Sequence, residues 1–404
     1  MRGIKPDTAA LIKQLENSGV LHDARVRAAF KTVSRAYFLP DLDPDEVYAD
    51  RAIIIKRDPT GAAISSSSQP TMMAQMLNQL MLKPGMNVLE IGTGSGYNAA
   101  LMKALVGTEG HVTSLELDQD IAEQARENLA RAGYGSVQVV TSDGASGYAP
   151  RAAYDRIICT ATVWDVPQAW VRQLKPRGRL VTPIQVHAGQ VSAAFDVLKD
   201  GSLYSSENLP CRFVLMRGTS AVPNFVRQVA SSALVMWSLD ADEIDGASLH
   251  LLLSADQEIN FLSQPLTSEQ IWSGVMPYTM LNAPDDIVLA TYFISEGQQA
   301  YGMDAGGGYA VLSPASAAFV PYQGGGKCHT FAGSDAFLVA QDMLDRWHAI
   351  GEPGTEQLRV RLIPLGAPIS DPPNHGCNFT RQDHALQVWL EPVGEETNHD
   401  ILDD

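Results

Sequence analysis

The chain has 404 residues, more than one ordinary compact domain needs, so we expect two domains. Hydrophobic residues make up 45% of the chain and charged residues 19%, a balance typical of a folded globular protein and not of a disordered one. The formal net charge of −17 argues against a duplex nucleic-acid binder, which needs a basic face toward the phosphates.

The first eighty residues read as helix, strand, loop and helix. Apolar residues at spacings of three and four predict helix over 8–36, with a break at Gly19. The β-branched run in 47–57 predicts a strand. A turn signal, DPTGAA, follows at residues 58–63. Four consecutive serines, Ser65 to Ser68, then lead through Gln69-Pro70 into a second helical pattern.

Between residues 87 and 184 short apolar strands alternate with amphipathic helices. Such alternation predicts an α/β fold with a doubly wound parallel sheet covered on both faces. Ligands of these sheets bind outside the carboxyl ends of the strands, so residues at those ends are the candidates for function. The predicted strands are NVLEIG, HVTSLELD, VQVVTSD, YDRIICTA and GRLVTPI.

The pattern changes beyond about residue 200. Short mixed strands, glycine-rich turns and one amphipathic helix (SDAFLVAQDMLDRWHAIG) predict a separate α+β unit. We therefore expect one domain over 1–215 and a second over 216–404, which serves either peptide recognition or dimerisation.

A glycine-rich segment, VLEIGTGSGY, follows the first of the alternating strands and opens a helix. Glycine lets a backbone turn tightly and approach a ligand closely. A dinucleotide fingerprint needs glycine or alanine at position 97, where this chain has Tyr97. The arrangement of Gly92, Gly94 and Gly96 is instead the form found in methyltransferases that bind S-adenosylmethionine (SAM).

Two carboxylates lie at the ends of the next two strands. Glu116 stands 26 positions after Glu90, where a carboxylate can accept both hydroxyls of a ribose. Asp143, followed by Gly144, ends the third strand, where a carboxylate can accept the amino group of adenine. The three features in this order predict a SAM site.

The sequence resembles the protein-L-isoaspartate (D-aspartate) O-methyltransferase family over roughly residues 8–215. The resemblance implies a Rossmann-like class I SAM methyltransferase domain, SAM as the donor, S-adenosyl-L-homocysteine (SAH) as the product, and a peptide carboxylate as the acceptor. It rests on RAAFKTVSRAYFLP, VYADRAI, ISSSSQP, VLEIGTGSGYNAALMKALVG, and YDRIICTA followed by VPQAWVRQLKPRGRLVTPI.

The resemblance also implies the site residues. Ser68 corresponds best to the family serine that lies over the methyl donor and hydrogen-bonds the acceptor, although the serine run leaves the register between Ser67 and Ser68 open. Thr71 stands where many family members have histidine, so the chain departs from the family pattern beside the acceptor. The predicted cofactor-binding residues are Ser68, Glu90, Gly92, Thr93, Gly94, Gly96, Asn98, Glu116, Leu117, Asp143, Gly144 and Thr160, with Ser68 also catalytic.

A carboxylate acceptor is already ionised at neutral pH, so no general base is needed. The methyl ester of an aspartyl or isoaspartyl residue is then open to attack by the next backbone nitrogen, which closes a succinimide. Because ordinary repair members end shortly after the methyltransferase domain, residues 216–404 resemble the extension of longer homologues associated with ribosomally synthesised modified peptides. We therefore favour peptide tailoring, with housekeeping repair of isoaspartate as the alternative.

Other functions fit the residues less well. A base-amine methyltransferase would have Asn-Pro-Pro-Tyr after YDRIICTA, which is missing, and a silent SAM-fold module would not need the intact glycines and carboxylates. No regular metal-ligand spacing is present among Cys328, His329, His375, Cys377 and His384, so no metal is expected. Four scattered cysteines and the lack of a long apolar run predict a cytoplasmic protein with reduced thiols and no membrane span. We expect a peptide or protein substrate bearing aspartate or isoaspartate, and no nucleic-acid partner.

Overall fold

The computed structural model describes residues 6–59, 61–186, 189–223, 225–238, 244–374 and 376–393. Most helices lie in the first half of the chain, and α9 runs through a π-helical turn over Ile271–Val275 into α10. The α-helices are α1 (Pro6–Asn17), α2 (Ala24–Thr32), α3 (Pro44–Val47), α4 (Pro70–Leu80), α5 (Tyr97–Val106), α6 (Gln119–Arg131), α7 (Gln168–Gln173), α8 (Gly246–Leu253), α9 (Ser268–Gln270), α10 (Met276–Asn282) and α11 (Asp335–Ala349).

The described strands form three sheets of two, seven and ten strands. The strands are β1 (Ile53–Arg57), β2 (Ala63–Ser67), β3 (Asn87–Ile91), β4 (His111–Glu116), β5 (Gln138–Thr141), β6 (Tyr154–Cys159), β7 (Leu174–Gln185), β8 (Gln190–Val197), β9 (Leu203–Cys211), β10 (Val226–Gln228), β11 (Leu234–Trp237), β12 (Gln257–Phe261), β13 (Val288–Ile294), β14 (Gly306–Leu312), β15 (Ala317–Pro321), β16 (Lys327–Phe331), β17 (Leu358–Pro364), β18 (Cys377–Thr380) and β19 (His384–Leu390).

The ten-stranded sheet contains the doubly wound unit. Its order is β18-β19-β17-β9-β8-β7-β6-β3-β4-β5, and the five strands from β7 to β5 run parallel. The middle strands are buried on both faces because helices cover the sheet, which explains their continuous apolar runs. The predicted α/β doubly wound fold is confirmed, and the carboxyl ends of β3, β4 and β6 meet at one edge.

The seven-stranded sheet is antiparallel and lies in the second half of the chain. Its order is β10-β11-β13-β14-β15-β16-β12. The faces of β11 alternate: Leu234 and Met236 are buried in a core cluster, whereas Val235 and Trp237 on the other face are half-buried. Helix α11 packs against β14, β15 and β16. The second half is therefore sheet-rich with helices, as an α+β unit requires.

The division between the sheets differs from the predicted division of the chain at residues 215 and 216. The seven-stranded sheet occupies residues 226–331, but β17, β18 and β19 return to the first sheet. There Val360 pairs with Ser205 of β9, and β17 pairs with β19 along its whole length. One buried cluster accordingly contains Leu89 of β3 together with Trp347, Val360 and Leu386. The two halves share a sheet and a hydrophobic core.

Candidate functional site

The loop between β3 and α5 is shaped by three glycines in the left-handed region. Their φ angles are 94° at Gly92, 52° at Gly94 and 87° at Gly96. A Cβ on Gly92 would lie 2.6 Å from the Thr160 Oγ1 atom, and one on Gly94 would lie 3.2 Å from the Ser66 carbonyl oxygen. The loop thus turns sharply while the ends of β6 and β2 approach its backbone, which side-chain-bearing residues would prevent.

A buried polar network lies beneath this loop. Glu90 is fully buried, and its carboxyl accepts hydrogen bonds from Asn98 Nδ2 at 2.9 Å and from Ser114 Oγ. The hydroxyl groups of Thr93 and Ser114 lie 2.6 Å apart. Burial raises the pKa of Glu90 to about 7, although both donated hydrogen bonds oppose the rise. Glu90, Thr93 and Asn98 therefore connect the glycine loop to β3, β4 and α5 from below.

Glu116 ends β4 beside the loop. Its carboxylate accepts the backbone N–H of Gly94 at 3.0 Å and that of Leu117 at 2.9 Å. Burial raises the pKa of Glu116, and the hydrogen bonds from the backbone of Gly94, Asp118 and Leu117 oppose that rise. Oε1 accepts both Leu117 and Asp118, but Oε2 accepts only Gly94 and keeps a second lone pair, so the side chain can still accept a hydroxyl group of a ligand.

Asp143 caps the short 3-10 turn after β5. Its carboxylate accepts the N–H of Ala145 at 2.9 Å and that of Thr219 at 2.8 Å. Burial favours the neutral form, but these hydrogen bonds outweigh it and lower the pKa of Asp143. Asp143, which was predicted to accept the adenine amino group, is therefore hydrogen-bonded to the segment at residues 218–219. This contact fixes the segment at the edge of the sheet.

A cleft lies along this edge, and we name it the glycine-loop cleft. Of the predicted residues, those in its wall are Gly92, Gly94, Glu116, Leu117, Gly144 and Thr160. Glu90, Thr93, Gly96, Asn98, Asp143 and Ser68 are not in its wall. Other residues of the wall were not predicted from the sequence, among them Ser65, Ser66, Ser142 and residues 214–217. Residues 214–217 are far from the motif in sequence, and the backbone of Thr162 binds them: its N–H donates to Val214 and its carbonyl accepts from Met216, both at 2.8 Å.

The first three serines of the run, Ser65 to Ser67, lie in strand β2, and Ser68 directly follows the strand. Ser65 and Ser67 are buried, whereas Ser66 and Ser68 are half-buried. The buried Arg35 guanidinium donates to the Ser68 carbonyl at 3.0 Å. The start of α4 is fixed by Asp50, whose carboxylate accepts the N–H of Thr71 at 2.9 Å and its hydroxyl at 2.7 Å.

Two further clefts meet the first at Ser66. The serine cleft, of about 280 Å³, is walled by Ser66, Ser68, Gln69, Met72, Arg212 and Trp272 among others. The inter-sheet cleft, of about 560 Å³, lies between the β1–β2 hairpin and the seven-stranded sheet, with Ile54, Ser66, Arg212, Trp237, Trp272 and Phe293 in its wall. Ser66 lines all three clefts, so the clefts adjoin one another at this residue.

Large apolar side chains are exposed in the inter-sheet cleft. Ile54 is 43% exposed, Val226 42% and Phe293 47%. Trp237 lies on the same wall and contacts Phe225, whose ring in turn packs on Trp164 at 4.9 Å between centroids. Exposed apolar surface gathered in a concave region is typical of a binding site.

Among the described residues no group of three or more His, Cys, Asp and Glu side chains could hold a metal ion, and His375 lies outside those residues. The four cysteines are free thiols. None of the described helices combines the length and the low polarity needed to cross a membrane.

Comparison with known proteins identifies the family. The family model of protein-L-isoaspartate(D-aspartate) O-methyltransferase matches residues 6–221, just over half of the chain. The protein-L-isoaspartate O-methyltransferase of Hyperthermus butylicus is 39% identical over 216 residues, which are 52% of this chain and 87% of that protein. That of Ignicoccus hospitalis is 39% identical over 205 residues, 50% of this chain and 94% of that protein.

A solved structure of a protein-L-isoaspartate O-methyltransferase is similar over far more of the chain. It is 25% identical with a TM-score of 0.51, and the match covers 88% of this chain and 96% of the other. The likeness therefore extends beyond residue 221 into the second half. The chain belongs to the protein-L-isoaspartate(D-aspartate) O-methyltransferase family and, as a member of it, is a SAM-dependent O-methyltransferase.

Proposed function

We propose that this enzyme methylates the free carboxylate of an aspartyl or isoaspartyl residue in a peptide that lies in the inter-sheet cleft. One observation carries the proposal. Ser66 borders the glycine-loop cleft, the serine cleft and the inter-sheet cleft at once, so a donor bound at the glycine loop and a peptide bound between the sheets would meet at this residue.

The residues of the glycine-loop cleft fit SAM. Gly92 and Gly94 place bare backbone in the wall of the cleft, and Glu116 Oε2 retains a lone pair for a ribose hydroxyl. Gly144 would lie against the adenine. Glu90, Thr93, Gly96, Asn98 and Asp143 would act from behind the wall by holding the loop and the segment at residues 218–219 in place.

The chemistry requires alignment more than acid–base catalysis. An ionised carboxylate oxygen supplies a lone pair to the methyl carbon, the carbon–sulfur bond breaks, and its electron pair stays on sulfur as SAH forms. No proton is transferred, so no general base is needed. The protein has to place the acceptor in line with the methyl group and exclude water that would solvate it. Ser68, which lines the serine cleft together with Ser66, would hydrogen-bond the acceptor carboxylate.

The inter-sheet cleft favours a defined peptide, and hence a tailoring role. Its exposed apolar wall would take side chains that flank the acceptor residue, a specificity that a general repair enzyme does not need. On such a peptide the methyl ester would cyclise to a succinimide, with loss of methanol, as a deliberate modification. Housekeeping repair is the second candidate, and it is supported by the solved isoaspartyl methyltransferase that resembles both halves of this chain.

Intact-mass spectrometry of two peptides incubated with enzyme and SAM tests the proposal. One peptide contains a single isoaspartate, and the other is a structured precursor peptide with ordinary aspartates only. A gain of one methyl group, followed by loss of methanol, on the aspartyl precursor alone would support tailoring. The same change on the isoaspartyl peptide alone would support repair. Modification of neither peptide would overturn the proposed acceptor.

A pair of serine substitutions tests the acceptor site. Ser68→Ala is expected to lower kcat by about tenfold to a hundredfold, because one hydrogen bond to a charged group is lost, while SAM affinity stays unchanged. Ser146→Ala, at an exposed serine outside the walls of the three clefts, is the matched control. A fully active Ser68→Ala enzyme would contradict the assignment of Ser68 to the acceptor.

A further inference from the structure

The charged residue Arg212 lies beside two of the clefts. It directly follows β9 and lies in the wall of both the serine cleft and the inter-sheet cleft. No other charged side chain among the described residues lines either of these two clefts. Both open onto Ser66, where the acceptor would meet the donor.

The backbone beside Arg212 is firmly held. The N–H of Phe213 donates to Gln190 Oε1 at 2.8 Å, and the next residues are hydrogen-bonded to Thr162 at the end of β6. The Arg212 side chain itself is exposed, and within the described part of the chain no hydrogen bond or ion pair engages its guanidinium. A fixed backbone thus presents a free cation to the clefts.

A carboxylate substrate needs such a cation here. The chain carries a formal net charge of −17, so its overall field repels an anionic acceptor. A guanidinium binds a carboxylate with strong, directional hydrogen bonds. We propose that Arg212 binds the acceptor carboxylate of the peptide and orients it toward the methyl donor, an inference that rests on the proposed function.

The reaction itself would weaken this contact. With one carboxylate oxygen held by Arg212, the other remains free to attack the methyl carbon. Esterification removes the negative charge, so the product loses the ion pair that held the substrate. Arg212 would therefore favour binding of the carboxylate and release of the ester.

Calorimetry in the presence of SAH separates this role from a structural one. The probes are an isoaspartyl peptide and the same peptide with isoasparagine, whose amide is neutral. The wild type is expected to bind the carboxylate peptide about 10- to 100-fold more tightly than the amide, and Arg212→Gln is expected to abolish that difference. Arg212→Lys, which keeps the charge but not the forked geometry, should retain part of it.

Kinetics provide the second readout, because a positioning role raises KM more than it lowers kcat. The matched control is Arg346→Gln, in an exposed ion pair on α11, which should leave both constants unchanged. Equal weakening of both peptides by Arg212→Gln, or no change in either, would overturn the inference while leaving methylation by the wild type intact. If the wild type methylates neither an aspartyl nor an isoaspartyl peptide, the proposed function fails first and the role of Arg212 fails with it.

Discussion

Glu90 shows how one side chain beneath the site makes the fold depend on pH. Its pKa is about 7 in the folded chain and 4.5 in an unfolded one, because burial penalises the charged carboxylate. The stabilising protonated form is thus fully present below pH 4.5, and its contribution is lost as the pH rises through 7. Glu90→Gln removes the charge, so the variant should gain about 3 kcal/mol in unfolding free energy relative to the wild type between pH 4.5 and 8.

Urea denaturation of both proteins at the two pH values measures this change. Glu123→Gln, at an exposed position on α6, is the matched control, and its difference from the wild type should be the same at both pH values. A Glu90→Gln difference that is also constant with pH would show that the pKa of Glu90 is the same in the folded and the unfolded chain.

The serine run shows what residue-level reading can and cannot determine. The family motif identifies the segment, and Ser68 lies in the wall of the serine cleft, which shares Ser66 with the glycine-loop cleft. The strand was not predicted, because four polar residues in a row carry no alternation of polar and apolar side chains. In strand β2 successive side chains point to opposite faces of the strand. This alternation places Ser66 at the junction of the clefts.

At the scale of elements, the loop between β3 and α5 is a segment whose conformation requires glycine. A side chain at Gly92 meets both an unfavourable φ of 94° and the Thr160 hydroxyl at 2.6 Å. Gly107, at the end of α5, also has a positive φ of 72°, but nothing lies within 4 Å of its Cβ position. Substitutions at Gly92 and Gly107 therefore distinguish the effect of backbone strain alone from the added effect of a steric contact at the site.

We therefore expect Gly92→Ala and Gly107→Ala each to lose about 1–2 kcal/mol of stability from the left-handed backbone. Only Gly92→Ala should also weaken SAM binding, by tenfold or more, because the loop has to move away from Thr160. Thermal denaturation and calorimetric titration with SAM measure the two effects. Equal SAM affinity in the two variants would show that the Gly92 backbone does not shape the cofactor site.

The local sequence patterns predicted most of the helices and strands but few of the pairings between strands. The alternation of strands and helices over 87–184 gave the parallel sheet, since each strand there is apolar and each helix amphipathic. The segments that became β17 and β19 were also read as strands. The partner of β17, strand β9, lies about 150 residues earlier in the chain, and periodicity carries no information on such distant pairs. For the same reason residues 214–217 were missed as wall residues of the glycine-loop cleft.

At the scale of the whole molecule, a buried contact connects the loop after β6 with the turn between β18 and β19. Asp165, in the loop between β6 and α7, accepts hydrogen bonds from the backbone of Asp383 at 2.7 Å and of His384 at 3.1 Å. Its carboxylate also lies 2.7 Å from His384 Nδ1, and both side chains are buried. Next to it, the buried Arg381 guanidinium lies 3.4 Å from the Trp164 ring centre.

Asp165→Ala is expected to lower the free energy of unfolding by about 3 kcal/mol, since it leaves several buried donors without a partner. Asp342→Ala, which breaks an exposed ion pair with Arg346, should change it by less than about 0.5 kcal/mol. Urea denaturation followed by tryptophan fluorescence compares the two. Equal small losses would indicate that the β18–β19 hairpin contributes little to the stability of the methyltransferase sheet.

The return of β17, β18 and β19 to the first sheet also sets the order of events during synthesis. When the ribosome has made the whole SAM motif and β9, the edge of β9 still has unpaired N–H and C=O groups, because its partner β17 begins at Leu358. The sheet is completed only after the chain has been translated beyond Leu390. For the time needed to add those residues, the nascent methyltransferase half has an open strand edge that a chaperone would need to cover.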